Sequence, residues 1–184
     1  SKGGMEDMLD LERELLEHIG FEKTVTVGSG EGLRSEYPES DYTDMMKKYG
    51  TDELEHEHEQ QMEEEYGPVF FLKNFPYHTS PFWNMKKNGD IANKVDIILH
   101  GIETIGSAER SCDTDEMREQ FLTISDGQYA DILYKQFGEK RVNEELDVFL
   151  SKDFFPRFGG GIGVTRMIRA MEKSDLIDRH LDTA

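Results

Sequence analysis

Apolar and polar residues alternate most strongly on either side of His100-Gly101. Val95, Ile97 and Leu99 precede that pair, and Ile102 and Ile105 follow it. Two β-branched runs broken by a two-residue turn predict an antiparallel hairpin. With His100 and Gly101 at the turn, the register pairs Leu99 with Ile102, Ile97 with Thr104 and Asp96 with Ile105. Asp96, Ile98, Glu103 and Ile105 then share one face, with Asp96 and Glu103 as diagonal neighbours roughly 7–8 Å apart.

Elsewhere the period is helical or the pattern breaks. Met5, Met8, Leu9, Leu11, Leu15, Leu16 and Ile19 recur at helical spacing ahead of Gly20, which predicts a helix over Met5–Ile19 with a glycine stop. A second helix is expected over 52–66, ended by Gly67-Pro68, then a short buried strand over 69–72 closed by Asn74-Phe75-Pro76. Aromatic bulk at Phe82 and Trp83 leads into the hairpin and reads as core. Beyond Arg110, Asp113 or Thr114 caps a helix, and helical patterns follow over 129–137 and 142–150, parted by Gly138 and Lys140-Arg141. Residues 154–171 read as a glycine-rich segment entering a helix, where backbone can approach an anion. The chain is expected to be a single α+β domain, with an acidic helical part over 1–66 and a sheet with its site over 67–175.

Charge sharpens that division. The formal net charge is −18, and residues 1–66 hold 6 Lys+Arg against 20 Asp+Glu. Such a surface repels a nucleic-acid backbone. With no apolar run near 18 residues, no signal-like start and one cysteine, Cys112, the expectation is a soluble, cytoplasmic protein without a disulfide framework and without a membrane partner.

Several features suggest chemistry. Asp96 and Glu103 together suit Mg²⁺, which takes one or two protein carboxylates and leaves its other positions to water and phosphate; two acids on a hairpin also describe a solvated outer face. Arg110 follows a Gly-Ser-Ala run of small residues where a ligand could approach. Arg166 falls in the first turn of its helix, where a cation opposes the helix dipole unless an anion lies nearby. His56 and His58 face different sides of a helix, and His58 joins the stripe of Leu54, Met62 and Tyr66 as a packed histidine. Gly28-Ser29-Gly30-Glu31-Gly32 reads as a loop, a weak phosphate-loop candidate without the Lys-Ser/Thr that such loops place next.

In this order, Phe75-Pro76 with Pro81-Phe82-Trp83-Asn84-Met85, Asp96 with Glu103-Thr104-Ile105-Gly106-Ser107-Ala108-Glu109-Arg110, and Gly159-Gly160-Gly161-Ile162-Gly163-Val164-Thr165-Arg166 resemble the catalytic core of class II aminoacyl-tRNA synthetases. The likeness is to the aspartate/asparagine subgroup and its tRNA-independent asparagine synthetase relatives. It implies an antiparallel sheet flanked by helices that binds bent ATP with Mg²⁺ beside aspartate or asparagine. Asp96 and Glu103 would hold the metal, and Arg110, with Ser107 and Glu109, the amino acid. Gly161, Gly163 and Arg166 would hold ATP, with Arg166 and Glu103 as the catalytic pair. The product would be an aminoacyl-adenylate.

Departures qualify the resemblance. Thr165 stands where synthetases carry a glutamate, which resembles ammonia-dependent asparagine synthetases, and Gly106 replaces a serine near the metal. The family's first motif, which builds a homodimer, and its second, with an ATP-contacting arginine, are expected ahead of Ser1. The chain is therefore expected to be a C-terminal portion whose isolated form is crippled as a catalyst. Ammonia-dependent asparagine synthesis is favoured over tRNA charging, with a non-catalytic synthetase-like module as a further alternative.

Overall fold

The computed structural model describes residues 1–27, 30–33, 36–79 and 82–177. Helix α1 (Met5–Ile19) has the expected bounds, and Gly20 ends it at φ 107°, a left-handed conformation that glycine adopts without a Cβ clash. β1 (Thr24–Val27) and β2 (Gly30–Leu33) form a two-stranded ribbon, so Gly30 to Gly32 are strand rather than loop. Residues 28 and 29 of that expected loop lie outside the described residues.

β3 (Glu39–Asp41) runs straight into α2 (Tyr42–Tyr49), two elements that the sequence pattern did not reveal. They show that the acidic first third is not purely helical. α3 (His56–Tyr66) starts four residues later than expected, because the Glu55 N–H donates to Nδ1 of His58 at 2.9 Å and forms the cap there. His58 is buried and stacks on Tyr49, as a packed histidine should.

β4 (Val69–Pro76) outruns the expected strand because pairing resumes at Phe75 beyond a bulge, where Asn74, at φ 58°, faces two residues of the partner strand. β5 (Lys87–Asn88), β6 (Ile91–Leu99) and β7 (Ile102–Arg110) follow. His100 and Gly101 turn the β6–β7 hairpin with φ of 49° and 71°, the paired positive values that a tight two-residue hairpin requires.

α4 (Thr114–Thr123) begins at Asp113, whose carboxylate accepts from the N–H of Asp115 and Glu116. After a 3-10 turn come α5 (Gln128–Phe137) and α6 (Glu139–Leu150); Lys140 and Arg141 lie inside α6, so the break is Gly138 alone. Met117, Phe121, Val142, Leu146 and Leu150 close this helical lobe beneath Trp83. The glycine-rich segment is itself a strand, β8 (Arg157–Ile162), leading into α7 (Val164–Lys173).

The main sheet has the order β3-β4-β6-β7-β8, with β5 paired to β6. All its pairs are antiparallel except β3 with β4. Alternate residues of each strand divide between two layers. Phe71, Val95, Ile97, Leu99 and Ile105 pack with Met8, Leu9 and Leu16 of α1 and Met167 and Ala170 of α7. Phe70, Leu72 and Ile98 pack on the other side with Tyr42, Met45 and Met62 of α2 and α3. No helix among the described residues is long and apolar enough to cross a membrane.

Candidate functional site

One inserted residue shapes the site. Leu99 pairs with Ile102 and Ile98 with Glu103, but Ile97 pairs with Ile105 and Asp96 with Gly106, so Thr104 is an extra residue in β7. This corrects the uniform register expected from the turn. Such a bulge swings following side chains to the other face. Ile105 therefore joins Ile97 under α1, and Gly106, which has no side chain, lies opposite Asp96.

Asp96 and Glu103 still share the α2–α3 face. A Cβ on Gly106 would sit 2.9 Å from Glu103 Oε1 and 3.3 Å from Asp96 Oδ1, so both carboxylates converge over that bare backbone. Asp96 is 7% exposed; Oδ2 pairs with the Lys94 ammonium and Oδ1 has no partner. Burial is the main cause that raises its carboxyl to about 6; Glu103 and Glu59 add to the rise and Lys94 opposes it. A cavity of about 170 Å³ opens here, lined by Tyr42, Glu59, Thr79, Lys94, Asp96 and Glu103 among others.

The bulge also anchors α7. The Gly163 N–H donates to the Thr104 carbonyl at 2.8 Å, and Arg166 Nη1 donates to the Glu103 carbonyl at 2.6 Å. Arg166, in the first turn of α7 as expected, is thereby tethered to the residue that carries one of the acids while its side chain stays exposed.

From Gly106 the same face continues through Ala108 to Arg110, and across the β7–β8 pairing through Gly161 and Gly159. These positions form a floor without bulky side chains, and Arg110 closes it roughly 13 Å from Gly106. Arg110 donates to Asn84 Oδ1 and the Gly159 carbonyl, both at 3.2 Å, and lies over the Phe82 ring. Burial and the neighbouring Arg157 lower its pKa from the ordinary guanidinium value, and no carboxylate among the described residues pairs with it.

Two expected site residues lie elsewhere. Ser107 and Glu109 alternate onto the α1 face, away from Asp96 and Glu103. Glu109 is 4% exposed and accepts from Lys86 at 2.8 Å and Asn93 at 2.7 Å. Ser107 is buried beside Glu12, whose carboxyl burial raises to about 7 while the Ser107 hydroxyl opposes the rise. Sequence reasoning missed Lys94 and Glu59 at the site. Lys94 was detectable, since a residue two before Asp96 on a strand shares its face; Glu59 depends on how α3 docks.

An acidic pair thus lies over a glycine floor, with one arginine tethered beside it and another, without a carboxylate partner among the described residues, at the far end. The sheet beneath it, with helices on both faces, is a class II synthetase core. Residues 2–181 match the family model of tRNA synthetases class II (D, K and N), and the chain belongs to that family.

The curated relatives it matches are aspartate–tRNA ligases. An aspartate–tRNA(Asp) ligase of Pyrobaculum aerophilum is 32% identical over 107 residues, covering 58% of this chain and 22% of that protein. An aspartate–tRNA(Asp/Asn) ligase of Methanopyrus kandleri is 25% identical over 179 residues, 91% of this chain and 34% of its own length. The chain thus spans about a fifth to a third of these relatives. In fold it is similar to the asparaginyl-tRNA synthetase of Entamoeba histolytica, with TM-score 0.60 at 17% identity over 92% of this chain and 42% of that one. The asparaginyl-tRNA synthetase of Pyrococcus horikoshii gives TM-score 0.57 at 21% identity over 93% and 40%.

Proposed function

We propose that this chain carries the nucleotide and amino-acid site of a ligase that activates aspartate with ATP and Mg²⁺. The observation that carries the reading is the convergence of Asp96 and Glu103 over Gly106, with Arg166 tethered at one end of the floor and Arg110, without a carboxylate partner among the described residues, at the other. The residues fit the metal. Asp96 Oδ1 is an orphaned buried oxygen, and among the described residues no group of three or more His, Cys, Asp or Glu forms an all-protein cage. Two carboxylates leave room for water and phosphate, as Mg²⁺ prefers.

When bound, the ion neutralises phosphate charge. Arg166 meets the outer phosphates, Gly161 and Gly163 let the nucleotide approach the backbone, and Arg110 receives the substrate carboxylate that does not react. Ser107 and Glu109 act from beneath, by seating β7. The other carboxylate attacks the α-phosphorus, forming an acyl-phosphate bond and releasing pyrophosphate. No side chain forms a covalent bond, so rate comes from positioning and charge compensation.

Ammonia then displaces AMP to give asparagine, in the reading that Thr165 and the acidic first third support. Transfer to tRNA is the second reading, supported by the names of the curated relatives. ATP–pyrophosphate exchange by the full-length protein with aspartate, followed by an assay for asparagine with ammonia and no tRNA, tests both. Exchange with asparagine formation is expected. Exchange with charged tRNA and no asparagine overturns the acceptor, and no exchange by folded protein overturns the activity.

A further inference from the structure

Among the described residues that line the Asp96–Glu103 cavity, four are acids, Glu53, Glu59, Asp96 and Glu103, and Lys94 is the one cation. Lys94 lies two residues before Asp96 on β6, which sets both on one face. It is 8% exposed, its ammonium pairs with Asp96 Oδ2, and it sits 3.8 Å from the centroid of the Phe75 ring. Ring and carboxylate together fix a desolvated cation within the site.

That pairing changes what the acids can offer a metal. Asp96 Oδ2 is taken, while Asp96 Oδ1 and Glu103 Oε1 point to the same space above Gly106. Glu103 has no basic partner for its carboxylate among the described residues, and at Gly106 no side chain adds a further ligand. Asp96 and Glu103 would hold one hard cation with these free oxygens, whereas a second would have to displace the lysine.

We propose that Lys94 is a built-in cation that replaces one divalent ion, so that Asp96 and Glu103 hold a single metal beside the nucleotide. This rests on the Mg²⁺–ATP reading above. Lys94 is a positioning residue in this scheme: it fixes the Asp96 carboxylate and compensates its charge without touching the reacting atoms.

The test counts metal ions rather than turnover. Free Mn²⁺ is followed by electron paramagnetic resonance while the full chain is titrated with α,β-methylene-ATP present, for the parent, K94M, K94A and the double variant K94M/D96N. The parent should bind one Mn²⁺ at the protein carboxylates per nucleotide. K94M and K94A should each bind one more, or bind the first about tenfold tighter, and the double variant should lose that gain. Methionine keeps the aliphatic stem over Phe75, and thermal melts confirm which variants are folded. Equal number and affinity in parent and folded variants, or a gain that survives in K94M/D96N, overturns the role of Lys94. A folded parent that binds no Mn²⁺–nucleotide at all instead overturns the functional reading, and the role of Lys94 with it.

Discussion

The two faces of one strand, β6, serve opposite ends. Val95, Ile97 and Leu99 enter the layer beneath α1 and α7, each 1% exposed or less, and close that face by packing. Lys94 and Asp96 enter the other layer, where a buried carboxylate keeps an unpartnered oxygen. Backbone and register are common to both faces, so the difference lies only in which residues the alternation sends to each side. A strand stapled by a dry core on one face can hold charges at fixed positions on the other, which is how binding geometry is kept without a rigid cage.

The comparison is broken most severely on the charged face. Glu103→Gln removes the charge of one acid over Gly106 and should lower ATP–pyrophosphate exchange of the full-length protein at least about 100-fold, or roughly 2.7 kcal/mol of transition-state stabilisation. Its melting temperature should stay close to the parent's. On the packed face the balance inverts: Ile97→Ala should cost about 2–5 kcal/mol in denaturant unfolding while nucleotide affinity of the folded protein is preserved. Equal damage from both variants in both assays would erase the division.

Glu12 sharpens it, because it is a buried acid on the packed face. Its folded pKa of about 7 lies above the ordinary 4.5, so the native state holds the proton more tightly than the unfolded chain does. The stabilising contribution is complete below pH 4.5 and is lost as pH rises through 7. Glu12→Gln should match the parent near pH 4 and exceed it at pH 8 by up to about 3 kcal/mol in urea unfolding. A difference that is constant across that range would mean Glu12 does not titrate as described.

Gly106→Ser gives the smallest effect. Its Cβ would press on the ends of Glu103 and Asp96 rather than on backbone, so stability should change by no more than about 1 kcal/mol. The added hydroxyl should tighten Mg²⁺ in the nucleotide complex, read by calorimetry.

Much of this layout was legible in the residues. His100-Gly101 announced the turn, Gly20 the end of α1, Asp113 or Thr114 the cap of α4, of which the structure uses Asp113, and the period of two put Asp96 with Glu103. The uniform register failed because Thr104 is β-branched and fits a strand whether paired or bulged, so nothing local marks it as extra. The same alternation, carried past the bulge, shows why Ser107 and Glu109 leave the face that Arg110 keeps. β3 pairs with β4 across 32 positions, and no local pattern reports so distant a partner. Three glycines in a row suggest a loop, yet those of β8 form a strand because β7 pairs with every one of them.

Titration of α,β-methylene-ATP into the full-length protein, with and without Mg²⁺, bears most directly on the claim that Asp96 and Glu103 jointly form a nucleotide site. Saturable one-site binding that requires Mg²⁺ and disappears in Asp96→Asn is the predicted result. Folded protein that gives no binding heat, or binding that is undiminished by that substitution, would contradict it.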